Sequence, residues 1–219
     1  MTGRGMSDHA AVRQRFQGRI AGVGSTSGVR LVVGSWSQSP IGSFGDVMVE
    51  RPDGHRILLA PSEAVRGVIE STYVFDEVRI EPVVVTEQDG SWLVSATSLA
   101  LDLRLGRRTA LGILLRLVPR HVATSTTWAE VVDPVASRVV SGVHTVGVAR
   151  VGRREWYGAT DLRAVTAISG HLDGEPLGEL APVEPACRFG FSSTPRRPSV
   201  TTVVTTIEVD APDQSERAG

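Results

Sequence analysis

The 219-residue chain contains no lysine; all 23 of its basic residues are arginine. No side chain can therefore form an imine with a carbonyl compound, and the N-terminal amine is the one group left for that chemistry. Genomic base composition is the simple origin of the bias, yet the chemical exclusion holds whatever its origin. Cysteine occurs once, as Cys187, so an intramolecular disulfide and a cysteine-based zinc cluster are both excluded. No histidine lies near Cys187 in the chain, and it reads as a buried, inert thiol. No run approaches the roughly 18 apolar residues that span a bilayer. The first residues lack the apolar core of a secretion signal, so the cytoplasm is the expected setting and no membrane partner is expected. Neither sign of charge dominates: the net charge is −1, which provides no field for gripping nucleic acid. His9, His55, His121, His144 and His171 show no HExxH or i,i+4 pairing, and no G-x-S-x-G elbow occurs. A metal site, a hydrolase triad and a cofactor are accordingly not expected.

What is present is β grammar. The segment Ser37–Pro61 has a Pro40-x-Gly42 lead, an alternating run, a Pro52-Asp53-Gly54 turn and a second apolar run closed by Pro61, which together describe a hairpin. Strands are predicted over Val29–Ser37, Asp46–Arg51, His55–Ala60, Tyr73–Thr86, Ser91–Leu105, His121–Asp133, His144–Val151, Glu155–Ile168 and Val200–Val209. Helices are predicted over Ser7–Gln17, over Glu63–Glu70 behind the Ser62 cap, and over the segment to Val118 behind the Thr109 cap. Gly18–Gly28 reads as a glycine-rich turn, because a phosphate loop would lead into a helix and this run leads into a strand. The Thr109–Val118 segment is apolar almost all round, which marks a central helix or half of an interface. The chain as a whole reads as α+β, mainly β, with a large antiparallel sheet or partly closed β-barrel around that helix. Residues 1–209 are expected to form a single domain, followed by a polar, disordered tail over 210–219.

On the second strand of the hairpin Asp46, Met48 and Glu50 share one face and Val47 and Val49 the other. If the first face lines a cavity, it brings two carboxylates there. Continuing the Ser91–Leu105 strand without a break places Trp92, Val94, Ala96, Ser98 and Ala100 together, a face with room for a ligand. The arginine pairs Arg107-Arg108, Arg153-Arg154 and Arg196-Arg197 flank Gly or Pro and read as solvated turn charges. Arg163, beside Asp161 on a strand, is the stronger candidate to face inward and meet a carboxylate.

The run Ser39-Pro40-Ile41-Gly42-Ser43-Phe44-Gly45-Asp46 resembles the Ser-Pro-x-Gly-x-Tyr-x-Glu motif of the acetoacetate decarboxylase-like superfamily. The resemblance covers residues 30–60. It implies a β-rich, cone-like barrel with Phe44 in the aromatic position and Asp46 in the cavity-facing acidic position. It also exposes a departure, since the family's decarboxylases work through a lysine imine and this chain has no lysine. The combined expectation is a domain that binds a small organic acid in a barrel cavity without Schiff-base decarboxylase activity. Its candidate ligand-binding residues are Asp46, Met48, Glu50, Trp92 and Arg163. The alternative expectation is a non-catalytic interaction or homo-oligomerisation module built on the Thr109–Val118 helix.

Overall fold

A computed structural model describes residues 12–125, 146–150, 153–190 and 194–209. Its elements run, in order, β1 (Val12–Ser25), β2 (Arg30–Gln38), β3 (Phe44–Glu50), β4 (Arg56–Ala60), α1 (Glu63–Glu70), β5 (Glu77–Ile80), β6 (Val84–Gln88), β7 (Ser91–Ser95) and β8 (Leu99–Arg108). There follow α2 (Ala110–Leu117), α3 (Arg120–Ala123), β9 (Val146–Arg150), β10 (Arg153–Leu172), β11 (Glu175–Pro176), β12 (Leu180–Ala181) and β13 (Ser199–Val209). The strands form one 13-stranded sheet in the order β5-β4-β3-β2-β1-β13-β10-β8-β7-β6, with β9 and β11 on β10 and β12 on β1. The architecture is thus α+β and mainly β. Every pairing is antiparallel except β4 with β5, which run parallel because α1 makes the crossover between them.

The sheet curls. Val47 and Val49 of β3 and Ile57 and Leu59 of β4 share one buried cluster with Trp92 of β7 and Leu101 and Leu103 of β8, although several strands separate them in the sheet. Only a strongly bent sheet brings those faces together, and Gly45 of β3 abuts the Val85 side chain of the edge strand β6. This cluster is the main core. A second packing layer lies on the opposite face, where Val65 and Ile69 of α1 press on Leu58 and Ala60 of β4.

Local signals placed the turns and caps. Arg51 and Gly54 close the turn at Pro52-Asp53, Ser62 Oγ accepts from the Val65 N–H at 3.3 Å, and Thr109 Oγ1 accepts from the Gly112 N–H at 3.0 Å. Elsewhere long-range pairing overrides local reading. The helix expected over Ser7–Gln17 is, from Val12 onward, the start of β1, which pairs with β13 on one side and β2 on the other; its earlier residues lie outside those described. The same strand runs through Gly18, Gly22 and Gly24, so the glycine-rich turn shrinks to Thr26–Gly28. These glycines serve close approach: a Cβ on Gly22 would collide with Thr194 and one on Gly24 with the Pro182 carbonyl. The expected strands Tyr73–Thr86 and Ser91–Leu105 are each interrupted, the second by a hairpin closed by Ala96 N–H donating to Leu99 O at 2.8 Å. The Pro- and Gly-rich stretch from Gly170 to Ala186 begins as the end of β10 and carries the short strands β11 and β12.

Helix α2 is not enclosed by the strands. Gly112 is its buried residue, seated on β10 where any Cβ would strike the Leu162 backbone, while Ile113, Leu114 and Leu117 are 56%, 60% and 75% exposed. Within the segment expected as a strand from His121 to Asp133, residues 120–123 form α3; the remainder from 126, and the 210–219 tail, lie outside the described residues. No helix among the described residues is long and apolar enough to cross a membrane.

Candidate functional site

The face of the sheet opposite the main core carries a cavity of ≈ 60 Å³. One water needs roughly 10–15 Å³ on this measure, so several water-sized positions or a small molecule fit. Phe16 and Ile20 of β1, Val32 and Trp36 of β2, and Phe44, Asp46 and Met48 of β3 form one wall. Thr205 and Ile207 of β13 with Glu155 and Tyr157 of β10 form the other. Val68 and Ile69 of α1, with Thr72 and Tyr73 just beyond it, close the top. The alternation of β3 explains its part: the residues that put Val47 and Val49 into the core must put Phe44, Asp46 and Met48 on the cavity side.

Asp46 is 4% exposed, and its Oδ1 accepts from Trp36 Nε1 at 2.8 Å. Burial lifts its pKa from 3.8 to about 6, against the lowering effect of the Trp36 hydrogen bond. Gly34 makes room for that bond, because a Cβ there would stand 2.5 Å from Trp36 Nε1 and would overlap Asp46 Oδ1. Across the cavity Glu155 is 3% exposed and accepts from Tyr157. Tyr157 and Tyr73 are hydrogen-bonded through their hydroxyls. Either phenol can be the donor in that bond. Burial first, and then the Glu155 charge, hold both phenols well above their ordinary value, so both stay protonated at neutral pH. Thr72 Oγ1 and Thr205 Oγ1 are buried with no hydrogen-bond partner among the described residues. The ring of Trp36 stands edge-on to Phe16 at 6.0 Å and tilted to Phe44 at 6.2 Å between centroids.

The five residues singled out from sequence separate into two groups. Asp46 and Met48 line this cavity; Glu50, Trp92 and Arg163 are elsewhere. Glu50 lies further along the same strand face, fully buried, with Arg30 Nη2 at 2.9 Å, Arg188 Nε at 3.3 Å and the Arg188 N–H at 2.8 Å. Its partners satisfy it, which makes it a structural anchor for the 183–189 segment. Trp92 is in the main core because the 96–99 hairpin reverses direction between β7 and β8, putting Trp92 opposite Leu103 and Val94 opposite Leu101 on one face. The expected small-residue face therefore does not exist as a unit, and Leu93 takes the exposed side at 43%. Arg163 donates to the Gly106 carbonyl from Nε at 3.2 Å and Nη2 at 3.0 Å, while Asp161 is held by a two-pronged contact from Arg108. Cys187 is buried beside the Arg30 and Glu50 pair, and burial and the Glu50 charge push its thiol up to about 12. Among the described residues no group of three or more His, Cys, Asp or Glu side chains is placed to hold a metal ion.

No family model matches the chain, and no curated protein does. Among solved structures, the acetoacetate decarboxylase of Legionella pneumophila is similar at 11% identity over 97% of this chain and 92% of that one, with a TM-score of 0.41.

Proposed function

We propose that residues through 209 act as one small-molecule-binding domain in the cytoplasm, with the ligand held in the cavity between α1 and the sheet. The observation that carries this reading is the pair of buried hydroxyls, Thr72 Oγ1 and Thr205 Oγ1, which have no partner among the described residues and line an aromatic-walled space together with the buried Asp46 and Glu155. Unsatisfied buried polar groups cost stability, and a site that supplies hydrogen-bonding groups to a ligand is a standard reason to keep them. Imine-based decarboxylation is not part of the proposal, since no lysine side chain exists to carry it. An inward Arg163 would have suited an organic acid; Arg163 instead donates to the Gly106 carbonyl, so the ligand class is drawn from the lining itself. A fragment screen by ligand-observed NMR, run on the wild type and on Val68→Phe, tests the reading. Hits lost in the folded Val68→Phe variant support it. A blank screen, or hits indifferent to the variant, refutes it.

The exposed apolar face of α2 favours a second reading, self-association through Ile113, Leu114 and Leu117. Sedimentation of Leu114→Glu separates the cases: a folded species of lower mass than the wild type supports association, and an unchanged mass rejects it.

A further inference from the structure

We infer that the cavity takes a small uncharged alcohol, held by its hydroxyl among Asp46, Thr72 and Thr205. This rests on the ligand-binding reading above and narrows it to a class. The first argument is a count of hydrogen-bonding positions. Asp46 Oδ1 accepts from Trp36 Nε1, and Oδ2 has no hydrogen-bond partner among the described residues. Above pH about 6 the carboxyl is ionised, so Oδ2 only accepts. Thr72 and Thr205 are 6% and 2% exposed, and their hydroxyl protons have no acceptor among the described residues. These groups come from β3, from just beyond α1 and from β13 to line one cavity, and together they call for one donor and two acceptor positions. The Tyr73 and Tyr157 hydroxyls bond each other and stand outside this set.

An alcohol matches that count on a single atom, with one O–H to donate and two lone pairs to accept. A ketone or a carboxylate only accepts, and it leaves Asp46 Oδ2 unmet. An ammonium group only donates; it leaves both threonine protons unmet and gives up its hydration as well. Each buried group left unmet costs about 1–3 kcal/mol, enough to decide between these classes. The second argument is size. A volume of ≈ 60 Å³, against roughly 10–15 Å³ for each water-sized position, holds about four to six heavy atoms, a hydroxyl on three to five carbons. The third is the walls, where the Phe16, Trp36 and Phe44 ring cluster with Val32 and Ile207 suits a short hydrocarbon body.

The Trp36 hydrogen bond also fixes how an amide at this position would lie. In Asp46→Asn the amide oxygen takes the Trp36 N–H, so the NH₂ group stands where Oδ2 was and an acceptor becomes a donor. The same cavity, with its shape kept, then prefers an accepting carbonyl oxygen to a donating hydroxyl.

Three probes on one four-carbon skeleton provide the test: sec-butanol, butanone and sec-butylammonium, titrated by NMR at pH 7.5. In the wild type sec-butanol is expected to bind about ten-fold more tightly than butanone, the scale of one hydrogen bond to a charged acceptor, and more tightly than sec-butylammonium. In Asp46→Asn its advantage over butanone should vanish or reverse. Thr205→Val, which keeps the shape of the side chain, should weaken sec-butanol binding about three- to ten-fold. Butanone or sec-butylammonium binding the wild type as tightly as sec-butanol overturns the inference while leaving a binding cavity in place, a comparison that needs no variant to fold. So does an alcohol preference kept by folded Asp46→Asn, or an unchanged sec-butanol affinity in folded Thr205→Val. No binding of sec-butanol also overturns it, and the broader reading falls with it only if the fragment screen is blank as well.

Discussion

Removing the Asp46 charge should make the protein more stable and, on the reading above, less functional. The carboxyl is buried, and its pKa rises from 3.8 to about 6 chiefly through desolvation. That rise corresponds to about 3 kcal/mol of preference for the protonated form in the folded state. In the unfolded chain the group ionises near its ordinary value, so the folded state holds the proton more tightly. The stability this provides is fully present below pH 3.8, declines as the pH rises, and is lost above about 6. Asp46→Asn cannot ionise, and its amide oxygen can still accept from Trp36 Nε1. Wild type and variant should therefore melt within a degree or two of each other at pH 4, to order of magnitude. At pH 8 the variant should be more stable by up to about 3 kcal/mol, which for a chain of this size is about 6–12 °C in Tm. Circular-dichroism melts at half-unit pH steps from 4 to 8 give the difference curve, in which every other titrating group cancels. Parallel curves, or a variant less stable than the wild type at pH 8, would refute the assignment of Asp46 as a strained, desolvated carboxyl.

Two further perturbations follow from the same geometry. Arg30→Met leaves the fully buried Glu50 with one remaining guanidinium, that of the largely exposed Arg188, and should cost about 3–5 kcal/mol in urea unfolding at pH 7. Adding Glu50→Gln should recover part of it, and a loss below about 1 kcal/mol would mean the pair is not a closed unit. Gly34→Ala forces a methyl between Trp36 and Asp46, costing about 1–3 kcal/mol. It should also raise the Asp46 pKa further by removing the hydrogen bond that opposes desolvation, and an NMR titration showing an unchanged value would reject that account.

How legible this was in the sequence depended on the range of the forces involved. Pro52-Asp53-Gly54, Ser62 and Thr109 act on backbone groups within a few residues, so turns and caps could be placed from local chemistry alone. The β-rich class and the two faces of β3 followed from alternation. β1 was misread because its glycines suit a turn locally, whereas their use is to let Thr194 and the Pro182 carbonyl approach from distant parts of the chain. Trp92 was misplaced because one short hairpin reverses which face an alternating run presents. Of the cavity, Asp46 and Met48 were readable from their strand, but Glu155, Tyr157, Tyr73, Phe16 and Thr205 come from separated elements. Nothing in their own neighbourhoods signals that they converge. Pairing β1 with β13, and β13 with β10, is what assembles them.

β10 and β13 run in one register from Arg153 to Ala159 and, after an extra residue at Thr160, in another from Asp161 onward. The first stretch supplies Glu155 and Tyr157 to the cavity; the second ends at Ala164, and beyond it, across two further shifts against β8, Val165, Ile168 and Leu172 enter the main core. A register offset confined to one residue acts as an expansion joint. Side chains before it can be exchanged, and the ladder there shortened or lengthened, without reversing which residues point into the hydrophobic half. For protein engineering the strand is two modules joined end to end, one fixed by packing and one open to redesign. Ligand preference in this scaffold should therefore be editable separately from its stability, with Thr160 as the seam.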